Sequence, residues 1–313
     1  ERFISFIRRL RRAAPLRSLY RNLTVSMLEN FGLSGYDKGD LKGGETMKRI
    51  TKLIVAALIG VLSIGCFAAC GSTRTTVRVS GSSSVSPLIQ KLAAEYEKTH
   101  NVRILVTTSD SSTGVKDTQE GKNDFGMASR NLKEGEESVE AIKICDDGVV
   151  LVVNNESTLT DVTMQQVYDL YANGTAIGDV TNAVSREEGS GTRDAFDDLI
   201  ANADGGKLKD LKEFSDRVSI QNSTGNVMLE VAGNPNMLGY ISLGSLDDTV
   251  KALTFGGTAA TAENIKNGTY KLSRSFNLVK RAGEDLSAEA QGFVDFILSE
   301  AGQAIMLAEG YVA

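Results

Sequence analysis

The segment that decides the fold is Val184-Ser-Arg-Glu-Glu-Gly-Ser-Gly-Thr-Arg-Asp-Ala-Phe196. It starts as a short apolar strand, turns through Gly189-Ser-Gly-Thr192 and continues as a helix with an apolar face. The first amides of a helix have no partner inside it, and glycines let the backbone come close to a ligand. Because Arg186 and the positive end of the helix dipole lie beside these amides, the segment predicts a site for a small anion.

The same order of strand, Ser/Gly-rich turn and helix occurs twice earlier in the chain. Strand Thr76–Ser80 leads into Gly81-Ser-Ser-Ser-Val-Ser-Pro87, where Ser86 is the expected N-cap of the helix that follows. Strand Val102–Thr108 leads into Ser109-Asp-Ser-Ser-Thr-Gly114. Strands that alternate with helices indicate an α/β sheet with its ligand groups at the carboxyl ends of the strands.

The middle of the chain indicates a second lobe. Gly148–Asn154 is a continuous apolar strand that we expect to cross into it, whereas Leu253–Phe255 and Ser275–Lys280 are expected to return to the first lobe. Asn222-Ser-Thr224 opens another helix and is read as a cap, with a place in the cleft as the alternative. The predicted fold is therefore α/β, with two lobes of mixed sheet flanked by helices and a ligand cleft between them. The predicted boundaries are 71–150 with 251–313 for lobe 1, and 151–250 for lobe 2.

Aromatic and apolar residues at helical spacing mark the expected core. Tyr96 belongs to the helix after Pro87, and two helices near the end of the chain carry Phe293 and Phe296. We expect these rings to pack inside the lobes, because apolar residues three or four positions apart share one helix face.

A short basic segment that starts at Met47 precedes the apolar run Leu53–Ile64 and the small residues before Cys70. This order is typical of a lipoprotein signal peptide, so residues 47–70 are expected to be signal peptide and lipobox. Cys70 is the expected site of lipidation by chains such as palmitate, with Cys66 as the alternative. The apolar run is shorter than the ~20 residues of a transmembrane helix, which disfavours a retained membrane anchor helix.

Residues 1–46 precede a complete signal that has its own methionine. We therefore expect them to be non-native upstream sequence; the alternative is a genuine basic arm that contacts anionic lipid. After processing at Cys70, Cys145 would be the remaining thiol. It is expected to form no intramolecular disulfide and to pack as a small hydrophobic residue.

Composition excludes several classes of function. The formal charge is -6, and the acidic excess lies after the basic N-terminal segment, so a nucleic-acid partner is not expected. A serine hydrolase or phosphatase is the enzymatic alternative, but the single histidine, His100, lies far in sequence from the Gly189–Thr192 turn. No His, Cys or acidic cluster has metal-ligand spacing, so neither metal nor cofactor is expected, and the protein is predicted not to be an enzyme.

Motifs along the chain from about Ser72 to Ala313 match one known family in the same order. They are Gly81-Ser-Ser-Ser-Val-Ser-Pro87, Ser111-Ser-Thr-Gly-Val-Lys116, Asp124-Phe-Gly-Met-Ala-Ser-Arg130, Arg186-Glu-Glu-Gly-Ser-Gly-Thr-Arg193, Gly239-Tyr-Ile-Ser242, Ser299-Glu-Ala-Gly-Gln303 and Gly310-Tyr-Val312. Through these motifs the chain resembles the PstS-type phosphate-binding lipoproteins of bacterial phosphate ABC transporters. That family has a type II periplasmic-binding-protein-like fold. Its members capture inorganic phosphate between two lobes and deliver it to membrane permease subunits that work with a cytoplasmic ATPase. The resemblance implies a lipid-anchored protein at the outer face of the cell membrane, in a Gram-positive cell. Another tetrahedral oxyanion such as sulfate is the alternative ligand.

The resemblance also implies a ligand set. Glu188 matches an acidic position that pairs with the arginine of the anion-binding turn. Better-known members place an acidic residue just after the third strand, where it accepts a proton from phosphate, but this chain has Arg130 there. The acceptor is therefore open between Asp110 and Glu188. The implied phosphate-binding residues are Ser83, Ser84, Ser111, Ser112, Arg186, Glu188, Ser190, Gly191 and Thr192.

Overall fold

The structure is a computed structural model that describes residues 74–312. The predictions for 1–46, for the signal segment 47–70 and for Cys66 and Cys70 fall outside the described residues. Residues from Arg74 onward form one compact unit. Within the described part no helix is long and apolar enough to cross a membrane.

Strands and helices alternate through most of the described chain, as the sequence pattern predicted. The strands are β1 (Thr75–Ser82), β2 (Val102–Ser109), β3 (Phe125–Ala128), β4 (Val139–Val153), β5 (Asp161–Val162), β6 (Asn182–Arg186), β7 (Val218–Gln221), β8 (Met237–Ser242), β9 (Lys251–Ala252), β10 (Thr254–Phe255) and β11 (Ser273–Arg281). The α-helices are α1 (Ser86–Tyr96), α2 (Ser111–Gln119), α3 (Met164–Asn173), α4 (Gly191–Leu199), α5 (Thr224–Gly233), α6 (Ala262–Lys266), α7 (Ala288–Leu298) and α8 (Glu300–Ala308).

The main sheet has the strand order β2-β1-β3-β11-β4-β8-β6-β7, and β9 pairs with β4. The three strands at each end of this order are parallel to one another, whereas β11 and β4 in the middle are antiparallel to their neighbours. Ligand groups in open α/β sheets lie beyond the carboxyl ends of the parallel strands. Each half of the sheet therefore supplies one set of turns that can carry such groups.

Strand β4 joins the two halves of the sheet. Its residues 139–148 pair with β11, and its residues 149–153 pair with β8. The predicted apolar strand Gly148–Asn154 is thus the second part of a longer strand that begins at Val139. The first part was missed because charged residues such as Glu140, Lys143 and Asp146 interrupt its apolar residues, so no regular alternation marks a strand there.

Two large sets of buried apolar residues form most of the described core, beside two smaller sets. The first set lies between the β1–β3 half of the sheet and helices α1, α7 and α8; it includes Tyr96 and Phe293, and Phe296 is partly buried against it. The core placement of these aromatic residues is confirmed. Leu298 and Leu307 at the ends of α7 and α8 are instead 40% and 58% exposed.

The second set of core residues surrounds the β8–β6 half of the sheet and includes Leu253 and Phe255. The expectation that Leu253–Phe255 returns to the first lobe was wrong, since β10 pairs with β5 and these side chains pack in the second core. The predicted division into 71–150 with 251–313 and 151–250 otherwise stays a prediction.

Two local features of the first half are set by single residues. The N-cap of α1 is Val85, not Ser86, because Ser86 lies inside the helix and its hydroxyl bonds Thr108 Oγ1 at 2.6 Å. Gly81 has a φ of 134°, and a Cβ there would lie 2.3 Å from the carbonyl oxygen of Met127. Glycine is thus required where β1 turns toward α1.

Cys145 is a buried free cysteine, as expected. Burial raises the pKa of its thiol, mainly because the charged thiolate would lose its hydration. The thiol therefore stays protonated and packs as an apolar group.

Candidate functional site

Hydroxyl side chains from both halves of the sheet meet in one buried group, which we call the hydroxyl cluster. The first half contributes the turn after β1, the start of α2 and the residue that follows β3. The second half contributes the starts of α4 and α5. The members are Ser82, Ser83, Ser84, Ser111, Ser129, Thr192 and Thr224, all at most 7% exposed.

Ser84 connects the halves directly. Its Oγ lies 2.8 Å from Thr192 Oγ1 and 2.9 Å from Thr224 Oγ1. Ser84 precedes α1, and the two threonines lie in the first turns of α4 and α5. A hydroxyl can rotate to donate to whatever acceptor is near it, so these three groups can turn from one another to a ligand oxygen.

A second chain of hydroxyls lies within the first half. Ser82 Oγ donates to Ser129 Oγ at 3.0 Å, and Ser111 Oγ lies 3.3 Å from the same atom. The Ser129 amide donates to Ser111 Oγ at 3.1 Å. These bonds fix the start of α2 against the end of β3.

Arg186 places its guanidinium against the cluster. The residue is 2% exposed at the end of β6; its Nη2 donates to Ser83 Oγ at 3.0 Å and its Nη1 donates to Thr224 Oγ1 at 3.3 Å. A buried guanidinium requires a partner charge, and Glu187 supplies it through two bonds of 2.7 Å to Nε and Nη2. The site therefore has a fixed cationic donor beside neutral hydroxyls.

The backbone of Arg186 is also fixed by hydrogen bonds with two other side chains, those of Tyr240 and Arg193. The hydroxyl of Tyr240 on β8 accepts from the Arg186 amide at 3.2 Å and lies 2.7 Å from Ser185 Oγ. Burial raises the pKa of Tyr240, which keeps this hydroxyl neutral. On the other side, Arg193 Nη1 donates to the Arg186 carbonyl oxygen at 3.1 Å.

The predicted role of Glu188 was wrong. Glu188 is exposed, and the carboxylate that pairs with Arg186 belongs to Glu187. Asp110, the other candidate proton acceptor, uses its side chain as the N-cap of α2 and accepts from the amide and the hydroxyl of Thr113 at 2.8 and 2.6 Å. The carboxylates of Glu188 and Asp110 therefore both lie outside the hydroxyl cluster.

The remaining predicted residues lie at the contact between α2 and α4. The Ser112 amide donates to the Gly189 carbonyl at 3.1 Å, and Ser190 is the N-cap of α4. Gly191 begins α4 with its Cα facing Ser111 and Ser129, so the two helix starts lie against each other. The structure therefore brings Ser83, Ser84, Ser111, Arg186, Ser190, Gly191 and Thr192 together, places half-buried Ser112 at their edge, and leaves Glu188 outside.

Sequence reasoning missed three members of the site. Ser82 and Ser129 lie next to predicted residues, but nothing in their local pattern distinguishes them from other strand ends. Thr224 was read as part of a cap, although it follows β7 as Thr192 follows β6. The repeated order of strand, hydroxyl turn and helix is the signal that could have identified Thr224.

Asp197 on α4 is a buried carboxyl behind the site, 7% exposed. Burial raises its pKa to about 6, and the nearby charge of Arg193, whose Nε lies 3.2 Å from Oδ2, opposes that shift. Among the residues that the structure describes, Oδ1 has no hydrogen-bond partner. Ionised Asp197 therefore lowers the stability of the fold.

Changing Asp197 to Asn is expected to raise stability near pH 7 by about 1–2 kcal/mol. The unfolded chain loses this proton near the ordinary aspartate pKa of 3.8, whereas the folded chain keeps it up to about pH 6. Wild-type stability accordingly falls as pH rises between those values, and the Asn variant lacks this loss. Urea unfolding at pH 4 and pH 7 measures the difference. An advantage of the variant that does not grow with pH would contradict the prediction.

Among the described residues, no group of histidine, cysteine and acidic side chains is arranged to hold a metal ion. The groups that do converge at the site offer hydrogen-bond donation from hydroxyls, helix amides and one guanidinium. Helices α2, α4 and α5 each begin at this point, and each helix N-terminus carries roughly half a positive charge. Such an arrangement suits a small, desolvated oxyanion.

Comparison with known proteins agrees with this assignment. A family model described as a PBP superfamily domain matches residues 68–301. The chain is 43% identical over 132 residues to a protein from Streptococcus agalactiae named phosphate-binding protein PstS 2, an alignment that covers 42% of this chain and 45% of the relative. The chain thus spans about half the length of the first curated relatives it matches.

Solved structures match over a longer part of the chain. A putative phosphate ABC transporter substrate-binding protein from Clostridium perfringens, solved with bound phosphate, is 36% identical with a TM-score of 0.70, covering 76% of this chain and 99% of its own. An ABC-type phosphate transport receptor from Vibrio cholerae is 27% identical with a TM-score of 0.60, over 76% of this chain and 99% of its own.

Proposed function

Because this chain belongs to the PBP superfamily, a family of solute-binding proteins, we propose that it binds inorganic phosphate at the hydroxyl cluster. We propose further that it delivers the phosphate to the permease subunits and cytoplasmic ATPase of a phosphate ABC transporter. One observation carries this function. The buried guanidinium of Arg186 and hydroxyls from both halves of the sheet converge on one point. The phosphate-bound relative from Clostridium perfringens supports the choice of anion.

Phosphate loses its hydration on entering such a site, and donors must replace the water. Three helix N-termini contribute about +1.5 charge, and Arg186 contributes a full charge whose partner is Glu187. Charge-assisted hydrogen bonds contribute about 1.5–3 kcal/mol each, so a few are enough for micromolar affinity, about -8.2 kcal/mol. The proposed ligands are Ser83, Ser84, Ser111, Ser112, Arg186, Ser190, Gly191 and Thr192, to which the geometry adds Thr224.

Binding in this arrangement requires the two halves to separate. Ser84 and Thr192 are in direct hydrogen-bond contact, so an entering anion must exchange hydroxyl–hydroxyl bonds for hydroxyl–anion bonds. Strands β4 and β11, which pass between the halves, are the proposed hinge. Phosphate would then close two lobes around itself.

The alternatives have less support. A serine hydrolase needs a base near its nucleophile, but the ring of His100 stacks on Tyr96 at 3.9 Å and its Nδ1 contacts Thr99. We therefore propose a binding protein and not an enzyme. Sulfate has the same shape as phosphate and remains the comparison ligand for the experiment.

Calorimetric titration of the purified protein with inorganic phosphate, with and without excess sulfate, tests the function. We expect one site per chain with micromolar or tighter affinity for phosphate, and little competition from sulfate. Failure to bind phosphate, or equal affinity for sulfate, would contradict the proposal.

We propose an extracytoplasmic location with a lipid anchor at Cys70, or at Cys66 as the alternative. The support is the signal-like order of basic, apolar and small residues before Cys70, together with the family of the chain. Intact-mass analysis of protein extracted from membranes tests the anchor. A mass without acyl chains would contradict it.

A further inference from the structure

Arg130 is a buried arginine that does not belong to the hydroxyl cluster. It follows β3 directly, and its side chain is 4% exposed. Arg130 stands where better-known members of the resembled family have an acidic residue, and the structure shows it in ion pairs. A desolvated guanidinium is held only where partner groups surround it, so its partners indicate its role.

Glu136, which belongs to the same half of the sheet as Arg130, binds the Arg130 guanidinium. Arg130 Nη1 and Nη2 donate to the two Glu136 oxygens at 2.9 and 2.8 Å, a bidentate pair with fixed direction. Partial burial opposes ionisation of Glu136, yet the bonds from Arg130 and from the Lys133 amide lower its pKa. Asn277 also donates to the Arg130 carbonyl oxygen at 2.9 Å. Arg130 is therefore part of a rigid element of the first half.

The Nε atom of the Arg130 guanidinium lies next to the second half of the sheet. Arg130 Nε lies 3.1 Å from Asp194 Oδ2, and Lys133 Nζ lies 2.6 Å from the same oxygen. Both contacts are ion pairs by distance, since among the described residues neither Arg130 Nε nor Asp194 Oδ2 has a hydrogen-bond partner. Asp194 is in the first turn of α4, three residues after Gly191. Two cations of the first half thus contact one carboxylate on the helix whose start carries Gly191 and Thr192.

The same guanidinium also reaches the α2 turn. Its Nη2 donates to Ser112 Oγ at 3.1 Å, and the Ser112 amide donates to the Gly189 carbonyl at 3.1 Å. Arg130 therefore contacts the α2 turn and α4 at once.

We infer that Arg130 is a positioning residue that, with Asp194, fastens the two halves in the closed state and so slows release of the bound anion. This inference rests on the proposed function. Breaking the pair removes contacts that exist only when α4 lies against the α2 turn. Its loss should consequently raise the dissociation rate of phosphate.

Stopped-flow measurement of phosphate dissociation from wild type, Asp194→Asn, Arg130→Ala and the double variant tests the inference. We expect the dissociation rate to rise about 3–10-fold for Asp194→Asn and more for Arg130→Ala. Because Lys133 still contacts Asp194 in Arg130→Ala, the double variant should be faster than either single variant, but by less than the product of the two single effects. Effects of Arg130→Ala and Asp194→Asn on the dissociation rate that are not additive would show that the two side chains act through a shared contact. If Arg130→Ala does not fold because Glu136 loses its partner, Asp194→Asn still decides the question.

Asp198→Asn is the matched control. Asp198 is on the same helix, but its partners Lys207 and Lys209 belong to the same half. We expect its dissociation rate to equal that of wild type. Equal rates for Asp194→Asn and Asp198→Asn would overturn the inference, as would fully additive effects in the double variant. A wild-type protein that binds no phosphate would overturn the proposed function and this inference with it.

Discussion

Replacement of Arg186 by alanine is expected to lower the affinity for phosphate at least tenfold, and by about 100-fold if two charge-assisted hydrogen bonds to the anion are lost. The guanidinium is 2% exposed and directs Nη1 and Nη2 at Thr224 and Ser83. Its removal also leaves Glu187 beside the site with no cation to offset it, and an unpaired carboxylate repels an anion. Calorimetric titration with phosphate at fixed ionic strength measures the effect.

Two further variants separate geometry from charge. Arg186→Lys keeps the charge but cannot form the two-pronged contact with Glu187 while it donates to Ser83, so its affinity should fall between wild type and Arg186→Ala. Arg217→Ala removes the same charge from an exposed site in the same half, where its Nη1 donates to the Thr181 carbonyl oxygen. We expect Arg217→Ala to bind phosphate as wild type does. Affinity of Arg186→Ala within threefold of wild type would remove Arg186 from the proposed ligand set.

The pattern of strand, Ser/Gly-rich turn and helix was enough to predict the α/β fold and the helix starts that meet at the hydroxyl cluster. These starts meet because helices that follow parallel strands begin at the same edge of a sheet. The ligand role of Ser84, Ser111 and Thr192 came from the family resemblance and stays a prediction. Thr224 was underestimated because a hydroxyl before a helix most often satisfies the helix amides alone.

Features that depend on backbone direction could not be read from local sequence. Glu187 and Glu188 are equivalent as residue types, and only the path of the turn after β6 decides which carboxylate lies beside Arg186. Residues 139–147 of β4 are another case, because pairing with β11 overrides a polar sequence of weak strand propensity. Tertiary contacts decided both outcomes.

Replacement of Gly191 by alanine is expected to lower phosphate affinity by about 100-fold without destabilising the free protein. The φ angle of Gly191 is not positive, and alanine favours a helix over glycine by up to about 1 kcal/mol, so α4 itself should tolerate the change. A Cβ at this position would lie 2.3 Å from Ser111 Oγ and 2.8 Å from Ser129 Oγ, both in the first half. Non-bonded carbon and oxygen atoms cannot approach so closely. The methyl group should therefore hold α4 away from the α2 turn and keep the cleft from closing around the anion.

Gly225→Ala is the matched control for this change. Gly225 lies in the first turn of α5, also beside a hydroxyl of the cluster, and among the described residues no atom lies within 4 Å of a Cβ built there. Its phosphate affinity should stay within about twofold of wild type, because a methyl group in open space costs little. Calorimetry gives both affinities, and thermal unfolding without ligand shows whether either change harms the fold. If Gly191→Ala and Gly225→Ala bind phosphate equally well, phosphate binding does not require the close contact between α4 and Ser111, and the prediction is wrong.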